Sequence, residues 1–406
     1  MSPNTHASAD RHGRRAVVLG GGYAGVMAAN RLTRKHDLTV TMINPRSSFV
    51  ERIRLHQHAA GTYAAARGLR EVLSDPVDLI TDTVTRIDTP ARRLELASSG
   101  SIDYDYLVYA AGSGNRPGGT ADVPGGDLTY RIGVLEEAQR LQAALHETPA
   151  SAPVTVVGGG LTGIETAAEL AGGGRRVSLL CGGVLAPSLH PRARQRLRHG
   201  LARLGVEVRE GSGSRAVAVE VGHIELDDGR RLLSEVTVWA AGFAAADLAA
   251  RSGLRTDAAG RLRTDETLTS IDDLRIVAAG DAAAPSGLPV RMSCQAAMQL
   301  GPQAAETVLQ RIAGRQPRPI GVAFVSQCVS LGRKAGLMQL TRRDDSPIRL
   351  HMGGRAGAVV KETICSGILT QLRFEARHPG RMKWWQTDPR RQRRLASATS
   401  QSTQGS

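Results

Sequence analysis

Cysteine and aromatic residues are scarce in this chain of 406 residues, which has four cysteines and 3% aromatics. The cysteines Cys181, Cys294, Cys328 and Cys365 form no C-x-x-C or C-x-x-x-x-C pair. Redox-active dithiols and structural zinc sites normally use such close pairs, so we expect no dithiol centre and no metal site. Few aromatics are left to stack on bases and no nucleic-acid-binding motif is present, so we expect no nucleic-acid partner.

Long apolar runs are missing as well. A membrane-spanning helix needs roughly 18 consecutive apolar residues, and no segment of the chain approaches that length. Residues 1–15 are polar and lack the apolar stretch of a secretory signal. We therefore expect a cytoplasmic protein.

Acidic residues are outnumbered by basic ones, 38 to 52, which gives a formal net charge of +14. The excess is mostly arginine, spread along the chain and dense near the C-terminus. One interpretation is that the charge only keeps the protein soluble. The other is that it attracts phosphate-bearing cofactors or anionic lipid headgroups.

Glycine, in contrast, is abundant, with 46 residues, and two glycine-rich segments share one pattern. Residues 20–25 and residues 158–163 both read Gly-x-Gly-x-x-Gly. Each segment follows a short apolar run, 16–19 or 154–157, and precedes an alanine-rich stretch with helical spacing. A strand, a tight glycine turn and a helix N-terminus are what a dinucleotide pyrophosphate needs. Two such fingerprints in one chain predict two bound dinucleotides.

The pattern around the first fingerprint recurs around the second. Strand-like runs that end in Ala110-Ala-Gly112 and Ala240-Ala-Gly242 close the two repeats. We therefore predict an α/β protein with two Rossmann-like domains, the second inserted in the first, followed by a small C-terminal α+β module. The predicted limits are a disordered segment 1–14, a first domain 15–115 and 243–316, a second domain 116–242, a C-terminal module 317–385 and a disordered basic tail 386–406.

Together with Ala278-Ala-Gly-Asp281, these motifs resemble those of the flavoproteins with two dinucleotide-binding domains, the pyridine nucleotide–disulfide oxidoreductase family. The resemblance covers residues 15–380. It implies that the first domain and the Gly280-Asp281 segment bind FAD. It also implies that the inserted domain binds NADH or NADPH.

Within this family the sequence is most similar to the type II NADH dehydrogenases, which are NAD(P)H:quinone oxidoreductases. The redox-active cysteine pair of the disulfide reductases is missing from residues 51–60, where we predict a helix. Residues 293–301 resemble the Ala-Gln-x-Ala-x-Gln motif at the quinone site of those enzymes, with Cys294 in place of the alanine. Leu161-Thr-Gly-Ile-Glu165 is similar to their turn beside the nicotinamide.

Two residues depart from the family pattern. The second strand of each Rossmann unit usually ends in an acid that binds a ribose, but here the strands end at Asn44 and Cys181. Asn44 can still donate and accept hydrogen bonds to FAD. The missing second acid, with Arg175, Arg176 and Arg192 nearby in sequence, favours NADPH slightly, and NADH is the alternative.

We expect Glu165, Gln295 and Gln299 to act in catalysis. Glu165 would lie between nicotinamide and flavin, unless it only interacts with the positive end of its helix. Gln295 and Gln299 share one helical face and would meet the flavin edge, a quinone or simply solvent. Asp281 would accept hydroxyl hydrogens from the flavin ribityl chain, or cap a helix. The other cofactor-binding residues implied by the resemblance are Gly20, Gly22, Tyr23, Ala24, Gly25, Asn44, Arg52, Val84, Ala111, Gly112 and Gly280 for FAD, and Gly158, Gly160, Leu161, Gly163, Cys181 and Gly242 for the nucleotide.

Two histidines of the segment 51–60 are candidate proton donors. His56 or His58 would donate a proton near the flavin, because an imidazole titrates in the working range of pH. Packing in the core is the simpler explanation for each of them. They cannot share one helical face, so we expect no joint metal site.

The sequence thus predicts an FAD-dependent NAD(P)H oxidoreductase that passes electrons through the flavin to a quinone-like acceptor. A reductase of an iron–sulfur protein and a cytosolic, pathway-specific flavin reductase are alternatives. So is a non-catalytic sensor that binds flavin and nucleotide. The expected partners are a nicotinamide nucleotide and a small quinone-like molecule, and the chain would be a monomer or a homodimer.

The segment Arg381–Gln386 places two tryptophans among cations. Amphipathic aromatics beside basic residues are typical of a membrane interface. The type II dehydrogenases are monotopic membrane enzymes, so the resemblance implies peripheral contact with the inner face of the membrane. Packing of the tryptophans on the body of the protein is the alternative.

Overall fold

Strands and helices alternate in the first part of the chain. The computed structural model describes residues 13–98, 100–115, 123–383 and 387–403. Residues 1–12, most of the segment predicted to be disordered, lie outside these ranges, and the first strand begins at Arg14. The elements up to residue 115 are β1 Arg14–Leu19, α1 Tyr23–Leu32, β2 Leu38–Asn44, β3 Ser48–Val50, α2 Leu55–Ala59, β4 Ala66–Gly68, β5 Val77–Thr81, β6 Val84–Asp88, β7 Arg93–Leu96, β8 Ser101–Asp103, β9 Tyr106–Tyr109 and β10 Ser113–Asn115.

The middle of the chain repeats this succession around the second fingerprint. Its elements are β11 Thr129–Arg131, α3 Leu135–Glu147, β12 Pro153–Val157, α4 Leu161–Gly172, β13 Arg176–Leu180, α5 Pro191–Arg203, β14 Glu207–Arg209, β15 Ala216–Glu220, β16 His223–Leu226, β17 Arg231–Leu233, β18 Val236–Trp239, β19 Phe243–Ala245 and α6 Leu248–Arg251. The last part of the chain completes the first lobe and then forms the C-terminal module. Its elements are β20 Leu262–Thr264, β21 Ile276–Ala278, β22 Ala283–Pro285, α7 Cys294–Ile312, β23 Ser326–Leu331, β24 Ala335–Thr341, β25 Pro347–Gly354, α8 Arg355–Arg377 and α9 Arg391–Thr403.

Each lobe is built on a five-stranded parallel sheet. The order is β21-β9-β1-β2-β5 in the first lobe and β11-β18-β12-β13-β14 in the second. Helices cover the sheets, so central strands are apolar on both faces, as in the fully buried residues Val17 and Val156. The predicted α/β fold with two Rossmann-like units is thereby confirmed.

The second lobe is inserted in the first. Strand β21 follows the second lobe in sequence, yet it pairs with β9 in the first sheet. The chain crosses between the lobes at β10 and β19, which pair antiparallel with Ser113 opposite Ala245. The proposed domain limits of 115 and 243 fall in this pair of strands. The crossing brings the carboxyl ends of both sheets towards one region.

A three-stranded antiparallel sheet, β23-β24-β25, and the long helix α8 form the C-terminal module. The helix lies close on the sheet, because a Cβ at Gly357 would come 2.4 Å from the Gly336 carbonyl oxygen. The sheet begins at Ser326, and residues 322–325 before it form no strand. The preceding segment is instead held by side-chain hydrogen bonds to α7.

The tail differs from the predicted disorder after residue 386. Arg391–Thr403 forms the helix α9, and its first residue, Arg391, is buried. The Arg391 guanidinium donates 2.8 Å hydrogen bonds to both Glu266 carboxylate oxygens and a 3.0 Å bond to the Leu288 carbonyl. One buried arginine thus fixes a segment whose composition predicts no core. In the described part of the chain, no helix is long and apolar enough to cross a membrane.

Candidate functional site

The first fingerprint forms a tight turn that only glycine allows. Gly20 has a φ of +105°, and a Cβ there would lie 2.3 Å from the Ala110 carbonyl oxygen. A Cβ at Gly25 would lie 1.8 Å from the Gly20 carbonyl oxygen, so the helix packs directly on the turn. A Cβ at Gly22, in contrast, would meet nothing within 4 Å. The N-terminus of α1 is therefore open to a ligand.

The second fingerprint repeats this geometry. Gly158 has a φ of +129°, and a Cβ at Gly163 would lie 1.9 Å from the Gly158 carbonyl oxygen. A Cβ at Gly160 would again meet nothing within 4 Å, and Gly160 caps α4 without a side-chain hydrogen bond. Backbone N–H groups at the start of both helices are left for an anion, which is the arrangement that binds a pyrophosphate.

A cavity of about 830 Å³ opens at the first fingerprint. Seven of the residues expected to bind FAD line it, namely Gly20, Gly22, Asn44, Arg52, Val84, Ala111 and Gly112. The Asn44 side chain stabilises the rim, because its Oδ1 accepts a 2.8 Å bond from the Gly21 N–H and its Nδ2 donates 2.6 Å to the Arg46 carbonyl. Asn44 thus shapes the loop in addition to facing the cavity.

One carboxylate oxygen of Asp281 can accept a further hydrogen bond. Its Oδ2 accepts a 2.6 Å hydrogen bond from the Ser113 hydroxyl and lies 3.7 Å from Nη1 of Arg52. Its Oδ1 is buried and has no hydrogen-bond partner among the described residues. A buried carboxylate oxygen without a donor is costly, so this atom is available to hydroxyl groups of a ligand.

Two of the expected FAD residues serve close packing instead of lining the cavity. A Cβ at Gly280 would lie 2.8 Å from the Ala24 Cβ. Ala24 is buried, and its carbonyl oxygen would lie 2.3 Å from a Cβ at Gly301 of α7. These small residues bring α1, α7 and the Gly280-Asp281 turn together, and so they place Asp281 beside Ser113 and Arg52, which line the cavity.

A second cavity of about 190 Å³ lies where the two lobes meet. Tyr23, Arg52 and Asp281 line it from the first lobe, and Thr162 and Glu165 line it from the second. The buried Tyr23 hydroxyl has no hydrogen-bond partner among the described residues. Three of the expected FAD residues and the expected catalytic residue Glu165 therefore meet at one place.

Glu165 stands at this junction in a buried ion pair. Its Oε1 lies 3.0 Å from Nζ of Lys361 and accepts hydrogen bonds from the Ser330 N–H at 2.9 Å and the Ser330 hydroxyl at 3.2 Å. Burial by itself would raise the pKa of Glu165, but Lys361 and His56 hold it below its usual value. Burial would lower the pKa of Lys361, and Glu165 raises it above its usual value. Both side chains are therefore charged.

His56 faces the same carboxylate from the other side. Its Nδ1 lies 4.0 Å from the Glu165 Oε2, and its Nε2 lies 3.5 Å from the Ser330 hydroxyl. Burial lowers the pKa of His56 to about 4, although the Glu165 charge works in the opposite direction. The imidazole is therefore neutral at physiological pH. His58 does not line the second cavity; its Nδ1 instead lies 3.3 Å from the Tyr63 carbonyl.

Lys361 is positioned by its neighbour on α8. The Glu362 carboxylate accepts hydrogen bonds of 3.0 and 2.6 Å from the Arg54 guanidinium. Arg54 is 2% exposed, and its side chain also lies over the Tyr63 ring at 4.4 Å. The C-terminal module is thereby fixed to the first lobe one residue away from Lys361.

Gln299 differs from the expectation. Its Nε2 donates 3.0 Å bonds to the carbonyls of Gln295 and Ala323, and its Oε1 accepts a 3.1 Å bond from the Ala323 N–H. The amide is thus occupied in holding residues 322–324, and no free group remains for a quinone or flavin. Gln295 lies one turn earlier and is half-buried. Cys294, not Gln295, lines the second cavity.

The remaining nucleotide residues lie along the second fingerprint. Leu161 is the first residue of α4, and Gly242, with a φ of +73°, turns the chain into β19. Cys181 follows β13, and a Cβ at Gly159 would lie 2.8 Å from the Cys181 Cβ. Arg175 precedes β13 at the opposite edge of the sheet, where it donates to the carbonyls of Thr148 and Leu145. Of the three arginines that favoured NADPH, Arg175 is therefore engaged away from the fingerprint and gives NADPH no support.

Lys361 and Ser330 were not predicted as site residues. One signal for Lys361 existed, since it is one of only four lysines in a chain that otherwise uses arginine. Lysine concentrates its charge on one nitrogen and shifts its pKa readily when buried. Ser330 carries no such signal, because only pairing of β23 with β24 turns it towards Glu165.

Comparison with known proteins agrees with this geometry. The sequence pattern of a family described as pyridine nucleotide-disulphide oxidoreductase matches residues 14–304, which ends before the C-terminal module. An NADH dehydrogenase-like protein of Mycobacterium tuberculosis is 33% identical over 326 residues, which covers 73% of this chain and 80% of that protein. A type II NADH:quinone oxidoreductase of Staphylococcus haemolyticus is 26% identical and covers 86% of this chain and 94% of the relative.

A solved structure has the same fold over nearly its whole length. NDH2 from Plasmodium falciparum, solved in complex with NADH, superposes with a TM-score of 0.74 at 16% identity. The match covers 93% of this chain and 99% of that one, so it includes the C-terminal module. At this identity the likeness concerns the fold alone.

Proposed function

This chain belongs to the pyridine nucleotide-disulphide oxidoreductase family, and we propose that it oxidises NADH through bound FAD and passes the electrons to a quinone. The observation that carries the proposal is the junction cavity, whose wall includes Asp281 of the first lobe and Glu165 of the second. A nucleotide on the second fingerprint and a flavin on the first would meet there. The sequence has no close cysteine pair that would take the electrons instead.

The residues of the first lobe fit FAD. Gly22 leaves the N-terminus of α1 open to a pyrophosphate, and Asp281 offers a buried oxygen without a donor to the ribityl hydroxyls. Arg52 lines both cavities and orients Asp281 through Ser113. FAD, when bound, supplies the chemistry of accepting a hydride and returning two electrons. The protein contributes binding, orientation and charge.

The second lobe holds the electron donor. The open backbone at Gly160 would bind the pyrophosphate of NADH, and Thr162 and Glu165 would lie beside the nicotinamide. We propose NADH over NADPH because Arg175, which precedes β13, is engaged at the far edge of the sheet. The Staphylococcus haemolyticus relative is also named for NADH, and the Plasmodium falciparum structure was solved with NADH.

Glu165 and Lys361 would supply the proton that quinone reduction consumes. The Nζ of Lys361 carries a proton next to the cavity wall, and the carboxylate of Glu165 keeps that nitrogen charged. Glu165 lines the cavity and Lys361 contacts it from behind, so the pair would pass a proton towards a quinone oxygen through the Glu165 carboxylate. His56, neutral at physiological pH, contributes a polar wall without adding charge.

Anaerobic reduction of the purified protein tests the whole proposal. We expect NADH to bleach the flavin absorbance rapidly, NADPH to do so more slowly, and the soluble quinone menadione to restore the oxidised spectrum at once. Rapid bleaching without recovery would show that the acceptor is not a quinone. No bleaching by either nucleotide would show that the protein binds its cofactors without turnover.

We propose that the C-terminal module touches an anionic membrane surface. Its strand β25 and the start of α8 expose Leu350, Met352 and Val359 by 64, 47 and 66%, and the exposed cation Arg355 lies between Met352 and Val359 in sequence. Apolar side chains between cations are what an interfacial contact needs. The tryptophans at 384 and 385, which the sequence suggested for this role, lie outside the described residues.

The triple substitution Leu350→Ser, Met352→Ser and Val359→Ser should weaken binding to phosphatidylglycerol-containing vesicles roughly a hundredfold, because each lost apolar contact costs about 1 kcal/mol and three cost about 3 kcal/mol. Vesicle sedimentation measures the effect. Leu274→Ser is the matched control, since Leu274 is equally exposed, at 70%, but lies on the first lobe. Oxidation of NADH with menadione should not change. Equal binding of the triple variant and the wild type would show that the C-terminal module does not contact the membrane.

A further inference from the structure

The end of strand β13 is where the second lobe departs from its family, and the structure places another acid beside it. Leu180 of β13 pairs with Arg209 of β14, and the Cys181 N–H donates a 2.9 Å hydrogen bond to the Arg209 carbonyl. Cys181 and Glu210 therefore leave the sheet side by side at its carboxyl edge. The same edge carries the fingerprint, since Gly159 lies against Cys181.

The Glu210 carboxylate is held in one position. Its Oε1 accepts a 2.8 Å hydrogen bond from the Leu185 N–H, and its Oε2 accepts 2.8 and 2.5 Å bonds from Nε and Nη2 of Arg198 on α5. The loop that carries Leu185 also contacts the fingerprint, because the Ala186 N–H donates 2.7 Å to the Gly159 carbonyl. One loop thus ties Glu210 to the turn that binds the nucleotide.

The charge at this edge belongs to Glu210 and its arginine partner. Partial burial would raise the pKa of Glu210, but the hydrogen bonds from Leu185 and Arg198 hold it below its usual value. Burial, reinforced by Glu210, raises the pKa of Cys181 to about 12, so the thiol is neutral. The carboxylate is 23% exposed and the Arg198 side chain 47%, so both are accessible to a ligand.

We propose that Glu210 selects NADH over NADPH, a role that in this fold usually belongs to an acid at the end of β13. Its carboxylate would accept a hydrogen bond from the adenosine ribose hydroxyl and repel a 2′-phosphate. It also neutralises Arg198, which would otherwise be the natural partner of that phosphate. The assignment rests on the proposed function. It places the residue that selects the nucleotide after β14 instead of at the end of β13.

Glu210→Gln tests the assignment without a change of size. Titration calorimetry on the oxidised holoenzyme, with NAD⁺ and NADP⁺ as probes, measures binding apart from turnover. We expect the Kd for NADP⁺ to fall about tenfold and the Kd for NAD⁺ to rise several-fold, because charge repulsion is lost and Arg198 is released. Glu207→Gln is the matched control, since Glu207 lies on the same strand but pairs with Arg209 on the exposed face. It should leave both values unchanged.

A second variant makes the test independent of any effect that Glu210→Gln has on folding. Arg198→Gln retains the acid and removes its cation, so the preference for NAD⁺ should increase. An unchanged preference in both variants, or an equal loss of both nucleotides in Glu210→Gln, would overturn the assignment alone. If the wild-type holoenzyme bound neither nucleotide, the proposed function would fall together with it.

Discussion

Glu165→Gln should lower the rate of menadione reduction by NADH about a hundredfold, the usual size of an acid–base contribution. Glutamine keeps the shape and can still accept a bond from Ser330, but it no longer keeps the Lys361 nitrogen charged. The Lys361 ammonium would be buried without a counter-charge, so its pKa should fall and its proton should be lost. Stopped-flow spectroscopy measures flavin reduction and reoxidation separately, and the reoxidation step should carry the loss.

A double-mutant cycle separates this role from stability. Glu165→Gln or Lys361→Met alone leaves one buried charge unpaired and should cost about 3 to 5 kcal/mol of unfolding free energy. The double variant removes both charges, so its stability should return close to that of wild type while its rate remains low. Lys361→Arg should recover stability but only part of the rate, with a shifted pH profile, because a guanidinium does not give up its proton. A double variant with wild-type activity would show that the pair is purely structural.

Asp281→Ala should release most of the flavin. The carboxylate oxygen without a donor is buried, and loss of charge-assisted bonds to the ribityl chain should weaken FAD binding by about 2 to 3 kcal/mol, roughly 30- to 150-fold. The absorbance ratio after ultrafiltration, followed by titration with added FAD, measures the change. The variant should remain folded, because the hydrogen bond and ion pair of Asp281 are made with Ser113 and Arg52 at the cavity wall and not in the apolar core.

Two further variants, one at each cavity, provide a graded comparison with Asp281→Ala. Ser113→Ala removes one donor to Asp281, so it should weaken FAD binding only a few-fold. Asp127→Ala removes another carboxylate from the wall of the larger cavity, but Asp127 is exposed at the rim and should have little effect. Flavin retention by Asp281→Ala equal to that of Asp127→Ala would exclude Asp281 from the FAD site.

The parts of the site that lie within one short segment could be read from the sequence. The glycine fingerprints specify a turn, a close helix contact and an open helix end within six residues, and the positions 20, 22 and 25 take these three roles as their spacing implies. Asp281 comes three residues after the end of β21, so its place at the edge of the sheet also follows from local order. In such segments sequence spacing alone sets the geometry.

Gln299 shows where this reasoning fails. Its spacing from Gln295 correctly placed both on one helical face, but which partner that face meets depends on the C-terminal module. Residues 322–324 form no strand, and Gln299 satisfies both the N–H and the carbonyl of Ala323. An amide that fits a ligand also fits a backbone, so its role was decided by the segment packed against it.

The sequence by itself determined the fold class, the two dinucleotide turns and the absence of a close cysteine pair, because each depends on residues a few positions apart. Only the tertiary structure decided the charges of the site. Glu165 meets Lys361, His56 and Ser330 from three distant segments, and Glu210 lies beside Cys181 because two strands pair in register. A side chain's charge depends on burial and on neighbours in space, and sequence spacing carries neither across such distances.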